Sequence, residues 1–444
     1  MQRIPFRLTI ALSIAFAIAI TPAQSARAQT YTVLHNFSNG ADGGSPESML
    51  TMDSAGSLYG TTLYGGSGNG GLGFGTVFEM VERNGSWNFF TIYDFKGNPG
   101  NNDGAGPLTR VVFGANGYLY GTTVSGGGGE ECAGFTYFGC GTVFSLSPPN
   151  GGGGGAASKG NTDGTGHGVE PLIRKCIVNC PWIEQVLLQF GNGLGGIYPY
   201  GGLAFDTAGN IYGTTQLGDG LGTAYELAHA DSGWTQSILN NFTGSNGGEP
   251  YDTLALDGSG NLYGTARGGG ANGYGVVFEL SHTESGWVET ILHSFADSDG
   301  ALPFGGLIFD SAGNLYGTTS SGGSGNGGTV FELSPSGEGW QFILLYNFTG
   351  SGQWGPADDL TMDSVGNLYG TAYQDGAHSL GQVFKLTQHN GTWTYTDLHD
   401  FAGGADGCKP DGGVVLDSQG NIYGTTTGCG TYPNQYGTVW ELTQ

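Results

Sequence analysis

Three of the eight histidines fall at one repeated place. His35, His293 and His399 each stand two residues before a Phe in a short strand-like phrase. Other copies of the phrase carry Tyr93, Asn240 or Tyr346 there. A general base needs its proton partner within hydrogen-bond reach. A place that takes His, Tyr or Asn reads instead as a half-exposed strand position. The remaining histidines (His167, His229, His282, His378 and His389) lie in loops or at strand ends with no evident Ser or Cys partner. No catalytic residue is assigned.

Asp42, Asp103, Asp299 and Asp406 each precede a Gly in related loops. Recurrent hard oxygen ligands on one face are a candidate Ca²⁺ site. The competing reading is an Asp-Gly turn. No loop has the alternating acidic pattern with a terminal Glu that a dedicated Ca²⁺ loop shows. No other cofactor is expected. The Gly268–Gly270 run lacks the Lys-Ser/Thr of a phosphate loop, and no helix follows it.

A third set is aromatic. Tyr64, Phe135, Tyr137, Trp354, Tyr373 and Tyr432, with Arg267, occupy variable loops and could stack on sugar rings. A lyase for acidic glycans would also need cations, and Arg110, Arg267 and Lys409 are the plausible ones. A glycosidase would need two carboxylates about 5–10 Å apart.

These residues hang on a repeat. The phrase Asp-x-x-Gly-Asn-Leu-Tyr-Gly-Thr-Thr recurs seven times, for example at Asp206–Thr215 and Asp310–Thr319, and degenerately at Gly114–Thr123. Gly-Thr-Val-Phe-Glu-Leu follows each copy, as at Gly328–Leu333. A Trp-to-Phe phrase follows six of them, as at Trp340–Phe348. A short apolar run leads into the Asp, as in Gly306-Leu307-Ile308-Phe309. Such phrases, rich in β-branched and aromatic residues and bounded by Gly, Asn, Asp or Pro, predict strands. The Tyr-to-Tyr spacing is 51 to 54 residues in the last four intervals. Four strands per unit of that length predicts an all-β, seven-bladed β-propeller with four-stranded blades.

We name the strands a (apolar run), b (Leu-Tyr-Gly-Thr-Thr), c (Gly-Thr-Val-Phe-Glu-Leu) and d (Trp to Phe). The Gly within b predicts a close approach, with the strand-d Trp of a neighbouring blade as the expected intruder. Strands a, b and c occur seven times but the Trp-to-Phe d only six. Tyr31–Phe37 resembles Thr290–Phe295, and is followed by Asp42-Gly43-Gly44-Ser45-Pro46, as later d strands are followed by Asp-Gly-x-x-Pro. The N-terminal strand is therefore expected to complete the last blade and close the ring.

The repeat resembles the GloVer tandem repeat of secreted bacterial proteins. The resemblance covers nearly all of residues 31–444 and rests on Leu-Tyr-Gly-Thr-Thr, the Gly-rich stretch and Gly-Thr-Val-Phe-Glu-Leu. It implies export and variable C-terminal anchoring of the choice-of-anchor type, without an established activity. This chain shows no C-terminal anchor motif.

Antiparallel order places the a–b and c–d loops on one face and the b–c and d–a loops on the other. The second face carries the variable material. Cys408 lies in a d–a loop and Cys429 in the b–c loop of the same repeat. Cys132 and Cys140 flank one b–c loop, and Cys176 and Cys180 sit in a Gly-rich insertion over 147–181. Three local disulfides are expected. Zinc is disfavoured because no Cys-x2-Cys pair and no suitably spaced His is present.

Residues 1–28 read as a signal peptide, with Arg3 and Arg7 before the apolar Leu8–Ile20 stretch and a cleavage site near Ala28. The remainder, 29–444, is expected to be a single propeller. Removing 1–28 removes three Arg and no acid, so the net charge moves from −25 to −28. That charge disfavours nucleic acid and anionic membranes, and no membrane span is expected after signal removal. The expectation is a monomeric, secreted or periplasmic, non-catalytic binding module for carbohydrate or a cell-surface partner, using the b–c and d–a loop face. The competing reading is an extracellular polysaccharide lyase or glycosidase on the same scaffold.

Overall fold

The computed structural model describes residues 29–67, 73–97, 103–128, 132, 139–149, 182–191, 195–230, 233–337, 339–350, 354–431 and 435–443. Seven four-stranded antiparallel sheets follow one another along the chain. In the first, strands a (Thr51–Met52), b (Leu58–Thr62), c (Thr76–Arg83) and d (Ser86–Asp94) lie in sequence order. Strand a has only two residues in every blade, shorter than the apolar run predicts. The last apolar residue before it is buried in the core, as Leu203 and Leu254 are, and residues preceding that one line the middle of the ring.

The seventh sheet closes the ring. Thr30–Asn36 pairs antiparallel with Thr438–Thr443, with Tyr31 opposite Leu442 and Val33 opposite Trp440. Phe37 then lies fully buried against Phe78 of the first blade, their ring centroids 5.4 Å apart. Phe37, Val439 and Tyr423 of the last blade share one apolar cluster with Leu50, Leu58 and Phe78 of the first.

Six of the seven a–b turns are folded by an Asp. In the third blade Asp206 Oδ1 accepts the backbone N–H groups of Ala208 and Asn210, and Oδ2 accepts the Asn210 side chain. Gly209 takes φ +89°, where a Cβ would be strained. The degenerate second repeat has Gly114 in place of the Asp, and Asn116 Oδ1 accepts the Tyr118 N–H instead.

The strand-b glycine gives way to a different neighbour from the one expected. A Cβ on Gly60 would lie 2.4 Å from Phe78 Cζ and 2.8 Å from Leu50 Cδ2. The intruder is thus the strand-c Phe of the same blade, because the register sets Gly60 directly opposite Phe78. The same place in later blades meets Phe144, Tyr225, Phe278, Phe331, Phe384 and Trp440. The strand-d Trp does cross to the preceding blade, but it packs on the strand-b Tyr. Trp287 meets Tyr212 at 6.4 Å and Trp87 meets Tyr423 at 5.7 Å, both edge to face.

The first Thr of each strand b ties its blade to the next. Thr61 donates to the Thr109 carbonyl at 3.1 Å, Thr265 to Gly305 at 3.0 Å and Thr371 to Gly412 at 3.0 Å. Thr425 completes the circle by donating to Ser48 at 3.2 Å. These bonds hold the segment just before each strand a, and those segments form the central mouth. Among the described residues no helix is long and apolar enough to cross a membrane.

Candidate functional site

The d–a and b–c loops share one face, as backbone pairs between them show. Gly44 pairs with Tyr64, Gly248 with Gly268 and Cys408 with Gly428. Cys132–Cys140 and Cys408–Cys429 are disulfides that pin two of these loops. Cys176 and Cys180 lie outside the described residues.

At the centre of this face is a cavity of about 250 Å³. Its walls come from the residues following the loop prolines Pro46, Pro107, Pro199, Pro250, Pro303, Pro356 and Pro410. The first residue after the Pro is Glu47, Leu108, Tyr200, Tyr251, Phe304, Ala357 or Asp411, blade by blade, and all seven line the cavity. One column of a repeat thus becomes a ring.

The mouth carries two sets of groups. In the first, Tyr200, Tyr251 and Phe304 stand in succession, joined by Trp354 from two residues before Pro356. Neighbouring centroids are 4.9, 5.1 and 5.5 Å apart, and the rings tilt by 42° to 69° from one to the next. This continuous aromatic arc spans blades three to six. Arg267 backs it, its guanidinium 4.9 Å from the Phe304 centroid and 5.6 Å from that of Tyr251. Glu249 balances that charge at 2.9 Å.

The second set is acidic, and its core comes from the same blades as the arc: Asp252 directly follows Tyr251, and Asp358 and Asp359 follow Ala357. Asp252, Asp358 and Asp359 present carboxylate oxygens within 4.8 Å of one another, the only such group of metal-ligating side chains among the described residues. The Gly306 N–H donates to both Asp252 Oδ2 (2.8 Å) and Asp359 Oδ1 (2.6 Å), and the Gly413 N–H to Asp358 Oδ2 (2.7 Å). Glu47 and Asp411 complete the set at the mouth. Burial, with mutual repulsion, holds the Asp252 and Asp358 carboxyls well above the usual range. Burial and the charge of Asp411 push Glu47 up to about 8. Burial pushes Asp411 up to about 6, against the pull of Lys409. Arg110 is the only cation lining the cavity among the described residues. It pairs with none of these acids, its Nη1 reaching Met49 Sδ at 3.4 Å.

Of the residues singled out from sequence, Arg267 and Trp354 meet at this mouth and share the wall of a second small cavity with Leu302, Ser321 and Asn326. Tyr64 and Tyr373 flank the acidic side. Burial raises both phenols, with Glu47 adding to each and Asp411 to Tyr373. Lys409 lies 5.7 Å over the Tyr373 ring. Phe135, Tyr137 and Tyr432 lie outside the described residues.

Asp42, Asp103, Asp299 and Asp406 do not meet. Three of them hold histidines of strand d, at the outer edge of the blades: His35–Asp42 at 3.2 Å, His293–Asp299 at 3.1 Å and His399–Asp406 at 3.1 Å. Asp42 and Asp406 also accept backbone N–H groups of their own loops. Asp103 accepts the Lys96 N–H at 2.7 Å. Each histidine stacks on a strand-d aromatic of the next blade, as His293 does on Phe342 at 4.1 Å. The three His–Asp pairs are therefore packing units between blades.

Sequence reading missed Tyr200, Tyr251, Phe304, Glu47, Asp411 and the Asp252–Asp358–Asp359 group. Aligning the seven repeats on the loop Pro and reading the variable column after it would have found the first five.

The family described as the Gloeobacter/Verrucomicrobia repeat matches residues 183–352 and 283–444, so the chain belongs to that family. No curated protein matches the sequence. Among solved structures, an ulvan lyase from a family of polysaccharide lyases is 10% identical, with a TM-score of 0.53 over 92% of this chain and 94% of that one. A Dyadobacter fermentans protein of unknown function is 9% identical, with a TM-score of 0.45 over 93% of this chain and 97% of that one. At such identities the likeness is one of fold.

Proposed function

We propose that this member of the Gloeobacter/Verrucomicrobia repeat family is an exported, non-catalytic, monomeric carbohydrate-binding propeller whose ligand sits in the central mouth. The arc of Tyr200, Tyr251, Phe304 and Trp354 carries this reading. Aromatic rings presented to a cavity, with polar groups beside them, are what a sugar ring needs on its two kinds of surface. The volume of about 250 Å³ suits a chain end rather than a long polymer groove. Two disulfides accord with an oxidising compartment outside the cytosol.

The fold likeness to an ulvan lyase does not bring its substrate here. One of its structures is described as bound to a glucuronate–sulfated rhamnose unit, which is acidic. Among the described residues five carboxyls and one Arg line the present mouth, so any charge the acids carry disfavours such a glycan.

The test is a panel of neutral, acidic and amino glycans, scored for retention and for product release. Retention without products, reduced about tenfold or more by Tyr251→Ala or Trp354→Ala, is the expected result. Product release would replace the binding reading with the enzymatic one. Retention unaltered in both variants would move the ligand away from the mouth.

A further inference from the structure

We infer that the sugar bound at the central mouth carries a protonated amine, as glucosamine units do, with the sugar ring against the aromatic arc and the ammonium toward the carboxyls. This inference rests on the carbohydrate-binding reading and adds the chemical class of the ligand.

The two sets of groups at the mouth ask for different things. Tyr200, Tyr251, Phe304 and Trp354 offer π surface, which attracts both sugar C–H faces and cations. Glu47, Asp252, Asp358, Asp359 and Asp411 offer hydrogen-bond acceptors and, as each loses its proton, negative charge. A neutral sugar satisfies the first set only. A small metal ion satisfies the second set only and leaves the arc idle. An amino sugar satisfies both at once: it is flat enough to stack, and its ammonium has three donors and no acceptor.

Among the described residues no cation pairs with the five acids. Arg110 lines the mouth but pairs with none of the five acids. Arg267 stands behind the arc and is balanced by Glu249. Lys409 lies over Tyr373 and only moderates Asp411. Burial, with the charge of Asp411, pushes Glu47 up to about 8, so it holds a proton at neutral pH. An incoming ammonium would take the place of that proton, and Glu47 would release it. The groups facing one another here are Glu47, Asp252, Asp358, Asp359, Asp411, Arg110 and the phenols Tyr200 and Tyr251.

The experiment is calorimetry of the whole protein at pH 6 to 7 with glucosamine oligosaccharides and with N-acetylated oligosaccharides of the same length. The free amine should bind at least about tenfold more tightly than the acetylated sugar, and less tightly as salt is raised. The binding heat should vary with the ionisation heat of the buffer, reporting proton release. Glu47→Gln and Asp411→Asn should weaken amine binding by about tenfold and weaken binding of the acetylated sugar by a clearly smaller factor. Melting curves of the variants establish that they are folded. Equal affinity for the two sugars, or indifference to both substitutions, overturns the inference while the binding reading stands. Tight Ca²⁺ binding with no response to the amino sugar also overturns it. Failure to bind any glycan removes both.

Discussion

Truncating Phe37 tests the closure of the ring, because that residue precedes blade one in sequence yet completes blade seven. Phe37 is fully buried, 5.4 Å from Phe78 and 5.7 Å from Phe89, edge to face with the latter. Removing a buried Phe ring costs about 3–5 kcal/mol, from lost transfer energy and the cavity left behind. For a body of this length that is a fall of about 3–6 °C in melting temperature. The internal standard is Phe348→Ala, the same repeat position in blade five, where the strand is held by chain on both sides. If Thr30–Asn36 is an integral strand, Phe37→Ala and Phe348→Ala lower the urea midpoint by similar amounts. If the terminal strand is a loose appendage, Phe37→Ala changes stability by less than about 0.5 kcal/mol while Phe348→Ala has its full effect. That disparity would refute the closure argument. Deleting residues 29–37 should go further, exposing an unpaired edge on Thr438–Thr443, and a peptide of that sequence added back should restore part of the loss.

Two further outcomes follow from the blade and from the mouth. Gly60→Ala should destabilise by about 1–3 kcal/mol, although Ala ordinarily suits a regular element better than Gly, because its Cβ meets the Phe78 ring at 2.4 Å. Adding Phe78→Leu should recover some of that loss in a double-mutant cycle of urea midpoints, and full additivity would contradict the steric account. The second outcome concerns pH. Burial raises Glu47 to about 8, so the folded state holds a proton that the unfolded chain gives up at lower pH. Its contribution is complete below the ordinary Glu value of about 4.3 and is lost as pH rises through about 8. His293, pushed down by burial against the pull of Asp299, acts in the opposite sense but only below about 6.5. Melting temperature should therefore fall from pH 6.5 to 8, and Glu47→Gln should flatten that slope. An unchanged slope in the variant would place its origin elsewhere.

The ring was legible in the sequence because its parts obey local rules that repeat. Asp206, Gly209 and Asn210 fold an a–b turn from within five residues, and the same letters recur wherever the same turn is needed. Strand bookkeeping exposed the missing d strand, and the Tyr31–Phe37 phrase identified its replacement. The Cys408–Cys429 and Cys132–Cys140 bridges were accessible for the same reason, since one joins two loops that a repeat places side by side and the other closes a single loop.

What only the tertiary structure decided lies in positions where the repeats disagree. Glu47, Leu108, Tyr200, Tyr251, Phe304, Ala357 and Asp411 share no chemistry, so similarity between repeats passes over them. Closing the ring sets that column around one axis, and residues some 50 positions apart become neighbours. Tyr251 reaches Phe304 at 5.1 Å, and Asp252 shares the Gly306 N–H with Asp359. The glycine of strand b shows the same division. Its need for a close approach was plain from its place in a strand, but which ring approaches depended on register, a property of two strands together rather than of either alone. Local hydrogen bonding and burial made the scaffold readable from sequence. The mouth became visible only once seven unlike residues were brought round a common centre.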